Sequence, residues 1–173
     1  GGTRDGTARA EMTRSPPRPN GTARERPLRA GVIGVGSMGR NHARVYRELA
    51  DVELVGVADA NAKLATEVAA EYGIQAHAPE TLLNTVDVVS VAVPTHVHAE
   101  VVADCIDAGV HALVEKPFVT DLDVGQTLAD RARAAGVTLQ VGHIERFNPA
   151  VRILSNIVPD LDILAVDAHR LGP

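Results

Sequence analysis

The chain has no tryptophan, two tyrosines and two phenylalanines, so aromatic side chains make up only 2% of its 173 residues. Hydrophobic residues nevertheless make up 45%, which is enough to bury a core. That core must consist of alanine, valine, leucine and isoleucine, as is typical of parallel sheets that are buried on both faces. The length allows one domain and part of another.

Long apolar runs are also absent. No run approaches the ~20 residues that a membrane-spanning helix needs, and no apolar segment near the start resembles a signal peptide. The single cysteine, Cys105, cannot form an internal disulfide bond. It lies in an apolar run with helical character, where we expect a buried residue rather than a nucleophile. These absences favour a cytoplasmic protein without a membrane partner.

Residues 1–27 differ in composition from the rest of the chain. They are rich in arginine, proline, glycine and threonine and contain almost no large apolar residue. We therefore expect a disordered tail. Its basic residues could contact a nucleic acid or a membrane surface, but the tail has neither aromatic residues nor a hydrophobic face. We expect a solvated tail and no nucleic-acid partner.

A Gly-x-Gly-x-x-Gly motif follows, between an apolar run that predicts a strand and a segment that predicts a helix. In this context the first glycine permits a tight turn, the second lets the backbone approach a pyrophosphate, and the third lets the helix pack closely against the strand. The start of the helix also supplies free N–H groups. The motif predicts dinucleotide binding by Gly34, Gly36, Ser37, Met38 and Gly39.

An acidic residue lies at the expected distance from this motif. Asp59 comes twenty residues after Gly39, at the end of a second predicted strand. A carboxylate there accepts hydrogen bonds from the adenosine ribose and repels a 2′-phosphate. Ala60 and Asn61 supply no arginine to neutralise such a phosphate. Lys63 could reach it, so the sequence predicts NAD and leaves NADP open.

Strand and helix patterns alternate regularly after the motif, which predicts an α/β fold with a Rossmann-type, doubly wound parallel sheet. We place this domain at residues 28–148. The predicted strands are 29–35, 52–58, 74–77, 86–93, 110–114 and 137–141. The predicted helices are 37–50, 61–72, one turn from Pro79, 97–108 and 121–135, with Gly73, Gly109 and Gly136 ending three of them.

Polar residues follow three of the predicted strands. Ligands of open α/β sheets bind beyond the carboxyl ends of the strands, so we expect these residues to line the edge where a nicotinamide would lie. A lone histidine is more often structural, and none here has the spacing of a metal ligand, so we predict no metal site. The residues are Pro94, Thr95, His96, His98, Glu115, Lys116, His143 and Arg146.

Lys116 is the candidate catalytic residue of this set. Only Lys63 and Lys116 among the 17 basic residues are lysines. An ammonium at a partly buried strand end can exchange a proton with a substrate hydroxyl, whereas a guanidinium cannot lose its proton. The structural alternative is an ion pair of Lys116 with Glu115 or with a helix end.

Several of these segments together resemble the glucose–fructose oxidoreductase/inositol dehydrogenase/rhizopine-catabolism (Gfo/Idh/MocA) family. The resemblance runs from about residue 29 to the end of the chain, and the Glu-Lys-Pro sequence is its most specific element. The segment 142–151 looks most like the branch that oxidises the 3-hydroxyl of UDP-N-acetylglucosamine-type sugars. The other segments are 34–42, 94–100, 109–111 and 115–117.

The resemblance implies an NAD(P)-dependent oxidoreductase that acts on sugars, sugar nucleotides or cyclitols. It places Lys116 between nicotinamide and substrate, Pro94, Thr95, His98 and Glu115 around the cofactor, and His143 and Arg146 near the substrate. It also implies a homo-oligomer for a full-length form.

The family has a second, α+β domain that forms the substrate floor. We expect residues 149–173 to be the truncated start of that domain, with a strand at 161–170. The family's acid/base histidine would then be missing. His169 is better explained as an exposed strand residue.

Three hypotheses follow. The chain is the cofactor-binding part of a dehydrogenase and has little activity alone, or it is a non-catalytic NAD-binding module, or it is an inactive fragment.

Overall fold

Valine-rich runs form the strands of one sheet in the computed structural model. The structure describes residues 26–158 together with Asp162, Leu164, Ala165, Asp167 and His169. All strand pairs are parallel. The strands are β1 (Leu28–Ile33), β2 (Val52–Ala58), β3 (Gln75–Ala76), β4 (Val88–Val91), β5 (His111–Val114) and β6 (Leu139–Val141).

Helices connect these strands. Asn61 and Asp121 cap α2 and α5 with their side chains, and Gly73 ends α2 in the left-handed conformation, with φ of 66°. The helices are α1 (Ser37–Glu48), α2 (Ala62–Tyr72), α3 (Pro79–Leu83), α4 (Thr95–Asp107), α5 (Leu122–Ala134) and α6 (Pro149–Ile157), with a 3₁₀ turn at Ile144–Phe147. Among the described residues, no helix has the length and apolarity that crossing a bilayer requires.

The strand order is β3-β2-β1-β4-β5-β6. The chain therefore reverses its direction of travel across the sheet between β1 and β4, and the carboxyl ends of these two strands border the crevice where ligands of such sheets bind. This arrangement confirms the predicted Rossmann-type fold.

The two faces of the sheet carry separate aliphatic cores. On one face, Val32 and Val57 pack with residues of α1 and α2. On the other, Val89 and Val91 pack with residues of α3, α4 and α5. Cys105 lies in this second core and is fully buried, as predicted. Burial raises the pKa of its thiol to about 12, so the group stays protonated.

The predicted boundaries differ from the structure at several ends. Helix α4 begins at Thr95, two residues before the prediction, because Pro94 takes the N-cap position. Strand β4 is half the predicted length, since its flanking residues turn into the adjoining loops. The 3₁₀ turn and α6 were not predicted.

The predictions for the two ends are tested only in part. The predicted tail at 1–27 lies outside the described residues up to position 25. Five of the ten residues of the predicted strand at 161–170 lie outside them as well, and none of the other five is in a strand. His169 is exposed, as expected. The proposed domain boundary after residue 148 stays a prediction.

Asp87 joins the amino ends of β1 and β4 through hydrogen bonds. Its carboxylate accepts the backbone N–H of Arg29 at 2.9 Å and the guanidinium groups of Arg29 and Arg26 at 2.9 and 2.8 Å. The hydrogen bonds from Arg26 and then Arg29 hold the pKa of this carboxyl well below its usual range. The start of β1 is thereby fastened to the residue that precedes β4.

We expect Asp87→Asn to lower the free energy of unfolding by about 1–2 kcal/mol at pH 7, because the amide loses charge-assisted hydrogen bonds. A carboxyl whose pKa is lower in the folded state stabilises above its unfolded pKa, and this contribution disappears as the pH falls through the folded value. Because the folded pKa lies well below the usual range, the difference between the two proteins should stay constant from pH 7 to about pH 5 and shrink only below about pH 4, where the carboxyl of the unfolded chain takes up a proton. Denaturant unfolding measures it.

The matched control is Asp130→Asn, which removes an exposed ion pair with Arg133. We expect no measurable change there. A difference that does not shrink below about pH 4 would contradict the electrostatic explanation.

Candidate cofactor site and active site

The loop after β1 is held against the end of β4. Gly34 adopts a φ of +87°, and its N–H donates to the carbonyl of Ala58 at 2.8 Å. A Cβ at Gly34 would lie 2.7 Å from backbone atoms of Ala92 and Val93. Only glycine combines this conformation with this close approach. The glycine loop therefore sits in the crevice between β1 and β4.

Gly39 lets α1 approach the same loop. A Cβ at this position would overlap the carbonyl oxygen of Gly34. Gly36 is different, because a Cβ there would meet no atom within 4 Å. Gly36, Ser37 and Met38 are exposed. The loop thus presents an open backbone surface above a tightly packed base.

No side chain caps α1 or α4, the helices that follow β1 and β4. Gly36 and Pro94 occupy the two N-cap positions, with Pro94 exposed and Thr95 half-buried at the start of α4. The first N–H groups of a helix have no partner within the helix and attract negatively charged groups. Both helix starts can therefore receive an anionic ligand.

Asp59 joins the glycine loop to the end of β2. Its Oδ2 accepts the N–H of Val35 at 2.7 Å, and its Oδ1 accepts the N–H of Asn61 at 2.8 Å. A carboxylate has about four acceptor positions, so two of them remain for a ligand. The half-buried carboxylate borders the loop as the sequence predicts for a ribose acceptor.

Lys116 is exposed at the end of β5, and not partly buried as the sequence suggested. Glu115 beside it is buried, with 8% of its surface exposed. Its Oε2 accepts the backbone N–H of Lys116 at 3.2 Å, and its Oε1 lies 2.9 Å from Nε2 of His42. Within residues 26–158, Lys116 forms no ion pair, so the structural alternative for its ammonium is not observed.

Sequence reasoning missed a chain of polar side chains behind Glu115. Nδ1 of His42 lies 3.1 Å from Oγ of Ser90, which lies 2.8 Å from the hydroxyl of Tyr46. His42 and Tyr46 belong to α1, and Ser90 is a fully buried residue of β4. A polar residue within the valine-rich β4 run was the available signal, because buried polar groups are nearly always hydrogen-bonded.

His98 lies in the first turn of α4. Only 1% of its surface is exposed, and its ring nitrogens face the carbonyls of Val93, Pro117 and Phe118 at 2.8, 3.0 and 3.1 Å. It therefore links the end of β4 to the loop that carries Lys116. Both ring nitrogens of His98 thus face backbone carbonyls, and its predicted contact with the cofactor stays a prediction.

His143 and Arg146 follow β6, where both are exposed. With Arg152 of α6 they line a cavity of about 820 Å³ beside the edge strand. None of these three side chains has an ion-pair partner in the part of the chain that the structure describes. The cavity is thus lined by basic groups that are available to an anionic or polar ligand.

The residues present fit a dinucleotide. The open surface above Gly36 leaves room for a pyrophosphate, the uncapped start of α1 supplies N–H donors, and Asp59 offers free acceptor positions. No group of three or more His, Cys, Asp or Glu side chains among the described residues could hold a metal ion.

The family model described as "Oxidoreductase family, NAD-binding Rossmann fold" matches residues 28–143. The chain belongs to this Gfo/Idh/MocA family. It is 43% identical over 128 residues to UDP-N-acetylglucosamine 3-dehydrogenase of Acidithiobacillus ferrooxidans, covering 73% of this chain and 40% of the relative. It is 30% identical over 131 residues to scyllo-inositol 2-dehydrogenase (NAD(+)) of Bacillus subtilis, covering 73% and 38%.

Solved structures of Gfo/Idh/MocA proteins are also similar to this chain. The structure of the A. ferrooxidans enzyme has a TM-score of 0.72 and 42% identity, with 75% of this chain and 43% of that chain covered. GenD2 from gentamicin A biosynthesis, in complex with NAD, has a TM-score of 0.75 and 31% identity, with 82% and 42% covered. The chain thus spans about 40% of the length of the curated relatives. The predicted family resemblance is confirmed.

Proposed function

We propose that this chain provides the NAD-binding part of an oxidoreductase that acts on a hydroxyl group of a sugar-type substrate. The observation that carries the proposal is the carboxyl edge of the sheet. The open glycine loop and Asp59 lie on one side of the crevice, and the exposed Lys116 follows β5 on the other. Membership of an oxidoreductase family with an NAD-binding Rossmann fold supports it.

A bound nicotinamide ring would supply hydride transfer to or from the carbon that bears the hydroxyl. The task left to the protein is to move the hydroxyl proton and to hold the substrate. Lys116 is the group we propose for the proton, because its side chain is exposed and has no ion-pair partner within residues 26–158. Glu115 anchors the backbone of Lys116. His143 and Arg146 are proposed to contact the substrate.

The charge around Asp59 favours NAD over NADP. The basic side chains in the first turns of α1 and α2 lie beside carboxylates: Arg40 is 2.7 Å from Glu71, and Lys63 is 4.0 Å from Glu67. A 2′-phosphate next to Asp59 would meet like charge, with no unpaired cation from these helix starts.

We expect calorimetry to give an affinity for NAD at least about tenfold higher than that for NADP. Asp59→Asn should weaken NAD binding and reduce this preference, because the amide keeps one acceptor oxygen but loses the charge. Asp107→Asn, which removes an exposed charge at the far end of α4, is the control. Equal affinities for the two dinucleotides in the unsubstituted protein would refute the role of Asp59.

The proposed substrate class is a sugar nucleotide. The 43% identity to UDP-N-acetylglucosamine 3-dehydrogenase supports it, as do the basic groups around the cavity beside β6. Turnover of UDP-N-acetylglucosamine, myo-inositol and glucose, followed by nicotinamide absorbance, tests the class. NAD binding without turnover of any of these would instead indicate a non-catalytic binding module. The absence of binding of either dinucleotide would refute both. Homo-oligomer formation and a cytoplasmic location stay predictions.

A further inference from the structure

The chain of polar side chains from Tyr46 to Glu115 connects three elements at the centre of the site. It begins at Tyr46 of α1, crosses to Ser90 of β4, returns to α1 at His42, and ends at Glu115, the residue after β5. His42 lies three residues after Gly39, on the helix whose start borders the glycine loop. The chain therefore runs from the helix of the glycine loop to the strand end that carries Lys116.

The hydrogen-bonding capacity of each group fixes the direction of this chain. The Glu115 carboxylate can only accept, and it already accepts the N–H of Lys116 at Oε2, so Nε2 of His42 donates to Oε1. Nδ1 of His42 then accepts from the hydroxyl of Ser90, and Ser90 accepts from Tyr46. Burial raises the pKa of the Tyr46 phenol, against the effect of the Ser90 hydrogen bond, so this donor remains protonated.

The reverse direction leaves a donor unused. If Nδ1 of His42 donated to Ser90, either Ser90 would donate to Tyr46 and the Tyr46 hydroxyl would have no acceptor among the described residues, or Tyr46 would donate to Ser90 and the Ser90 hydroxyl would have none. The forward direction gives every donor an acceptor. It requires the tautomer of His42 that carries its proton on Nε2.

Glu115 depends on this donor because of where it lies. The Glu115 residue is 8% exposed, and a Cβ at Gly142 would lie 3.3 Å from its Oε1, so there is little room for a different side-chain position. A buried carboxylate that loses its hydrogen-bond donor must move towards water or take up a proton. Either change disturbs the acceptor that holds the backbone of Lys116.

We propose that His42 is a positioning residue that holds Glu115, and through it the Lys116 strand end, in place for the nicotinamide half of the cofactor. This inference rests on the proposed function. The ring nitrogens of His42 bond to Glu115 and Ser90 and not to the glycine loop or to Asp59, so we expect its effect to be confined to the half of the dinucleotide that meets β5.

The test compares two ligands. NAD⁺ uses both halves of the proposed site, whereas ADP-ribose lacks nicotinamide and uses only the glycine loop and Asp59. We expect His42→Leu to weaken NAD⁺ binding about tenfold by calorimetry and to leave ADP-ribose binding within about twofold, because only one charge-assisted hydrogen bond is lost. His42→Gln can donate to Glu115 and accept from Ser90, and it should restore NAD⁺ binding.

Two results would overturn the inference. Unchanged NAD⁺ affinity in His42→Leu is one, and equal weakening of both ligands is the other, since that pattern means that His42 supports only the fold of α1. Failure of the unsubstituted protein to bind either ligand would instead overturn the proposed function itself. Circular dichroism and thermal unfolding check that each variant is folded.

A spectroscopic measurement on the unsubstituted protein gives a second, independent test if His42→Leu does not fold. Nitrogen-15 spectra of the histidine side chains distinguish the two imidazole tautomers. We expect the Nε2–H form for His42 at neutral pH, and the same form in Ser90→Ala, because the Glu115 carboxylate still accepts from Nε2. The Nδ1–H form in the unsubstituted protein would overturn the proposed direction of the chain.

Discussion

Gly36→Ala is expected to weaken NAD binding by about 100-fold or more while the protein keeps its fold and thermal stability. A methyl group at this position meets no atom of the protein within 4 Å, so the folded state accepts it. The same methyl group would occupy the surface on which we place the pyrophosphate. Calorimetry with NAD and thermal unfolding without ligand measure the two halves of this expectation.

The matched variant is Gly39→Ala, three residues later in the same motif. Its methyl group would overlap the carbonyl of Gly34, and a backbone atom in a packed loop cannot yield as a flexible side chain does. We expect a loss of about 3 kcal/mol of stability. The pair therefore separates the ligand-facing glycine from the packing glycine. If Gly36→Ala binds NAD normally, the proposed pyrophosphate position is wrong.

Lys116→Met is expected to lower turnover by about 10²- to 10⁴-fold, the range for loss of a group that transfers a proton. NAD affinity should stay within about threefold, because the exposed ammonium makes no hydrogen bond that organises the glycine loop. Lys116→Arg should be as inactive as Lys116→Met, since a guanidinium keeps the charge but does not release a proton.

Turnover is measured with residues 1–173 or, if the reading frame continues, with the longer product. Initial rates at saturating NAD give kcat and KM for the substrate. Retention of more than a tenth of the activity in Lys116→Arg would show that positive charge, and not proton transfer, is what position 116 contributes.

The sheet could be predicted largely because its strands are chemically distinct from their connections. Strand β2 has the predicted bounds, since Asp51 and Asp59 flank an apolar run. The 3₁₀ turn and α6 could not be predicted in the same way. Helix α6 has apolar residues at helical spacing, Val151, Leu154 and Ile157, but it buries none of its residues in the described structure, so no contact with the core supports it.

The parts of the candidate site that lie within a single short segment of the sequence could be predicted. The glycine loop, Asp59 and Lys116 each lie at the end of a strand, so strand prediction alone placed them on one edge. His42 bonds to Ser90 and Glu115, which follow it in the sequence by 48 and 73 positions. No local pattern encodes which helix face meets which strand. The burial of His98 could not be predicted from the sequence either: it lies in the first turn of α4 beside the site, but only 1% of its surface is exposed.

The hydrogen bonds between Asp87 and the start of β1 lie at the amino ends of the strands, opposite the glycine loop. This has a practical consequence for mutational work on this domain. Five residues of extended chain, roughly 16 Å, separate Asp87 from the backbone of Ala92 that meets the glycine loop. Substitutions that far apart with no shared partners usually have additive effects on free energy. Substitutions at the amino ends of the strands can therefore shift the melting temperature without altering dinucleotide affinity. A stabilising substitution there would allow glycine-loop variants that are otherwise unfolded to be studied in the folded state.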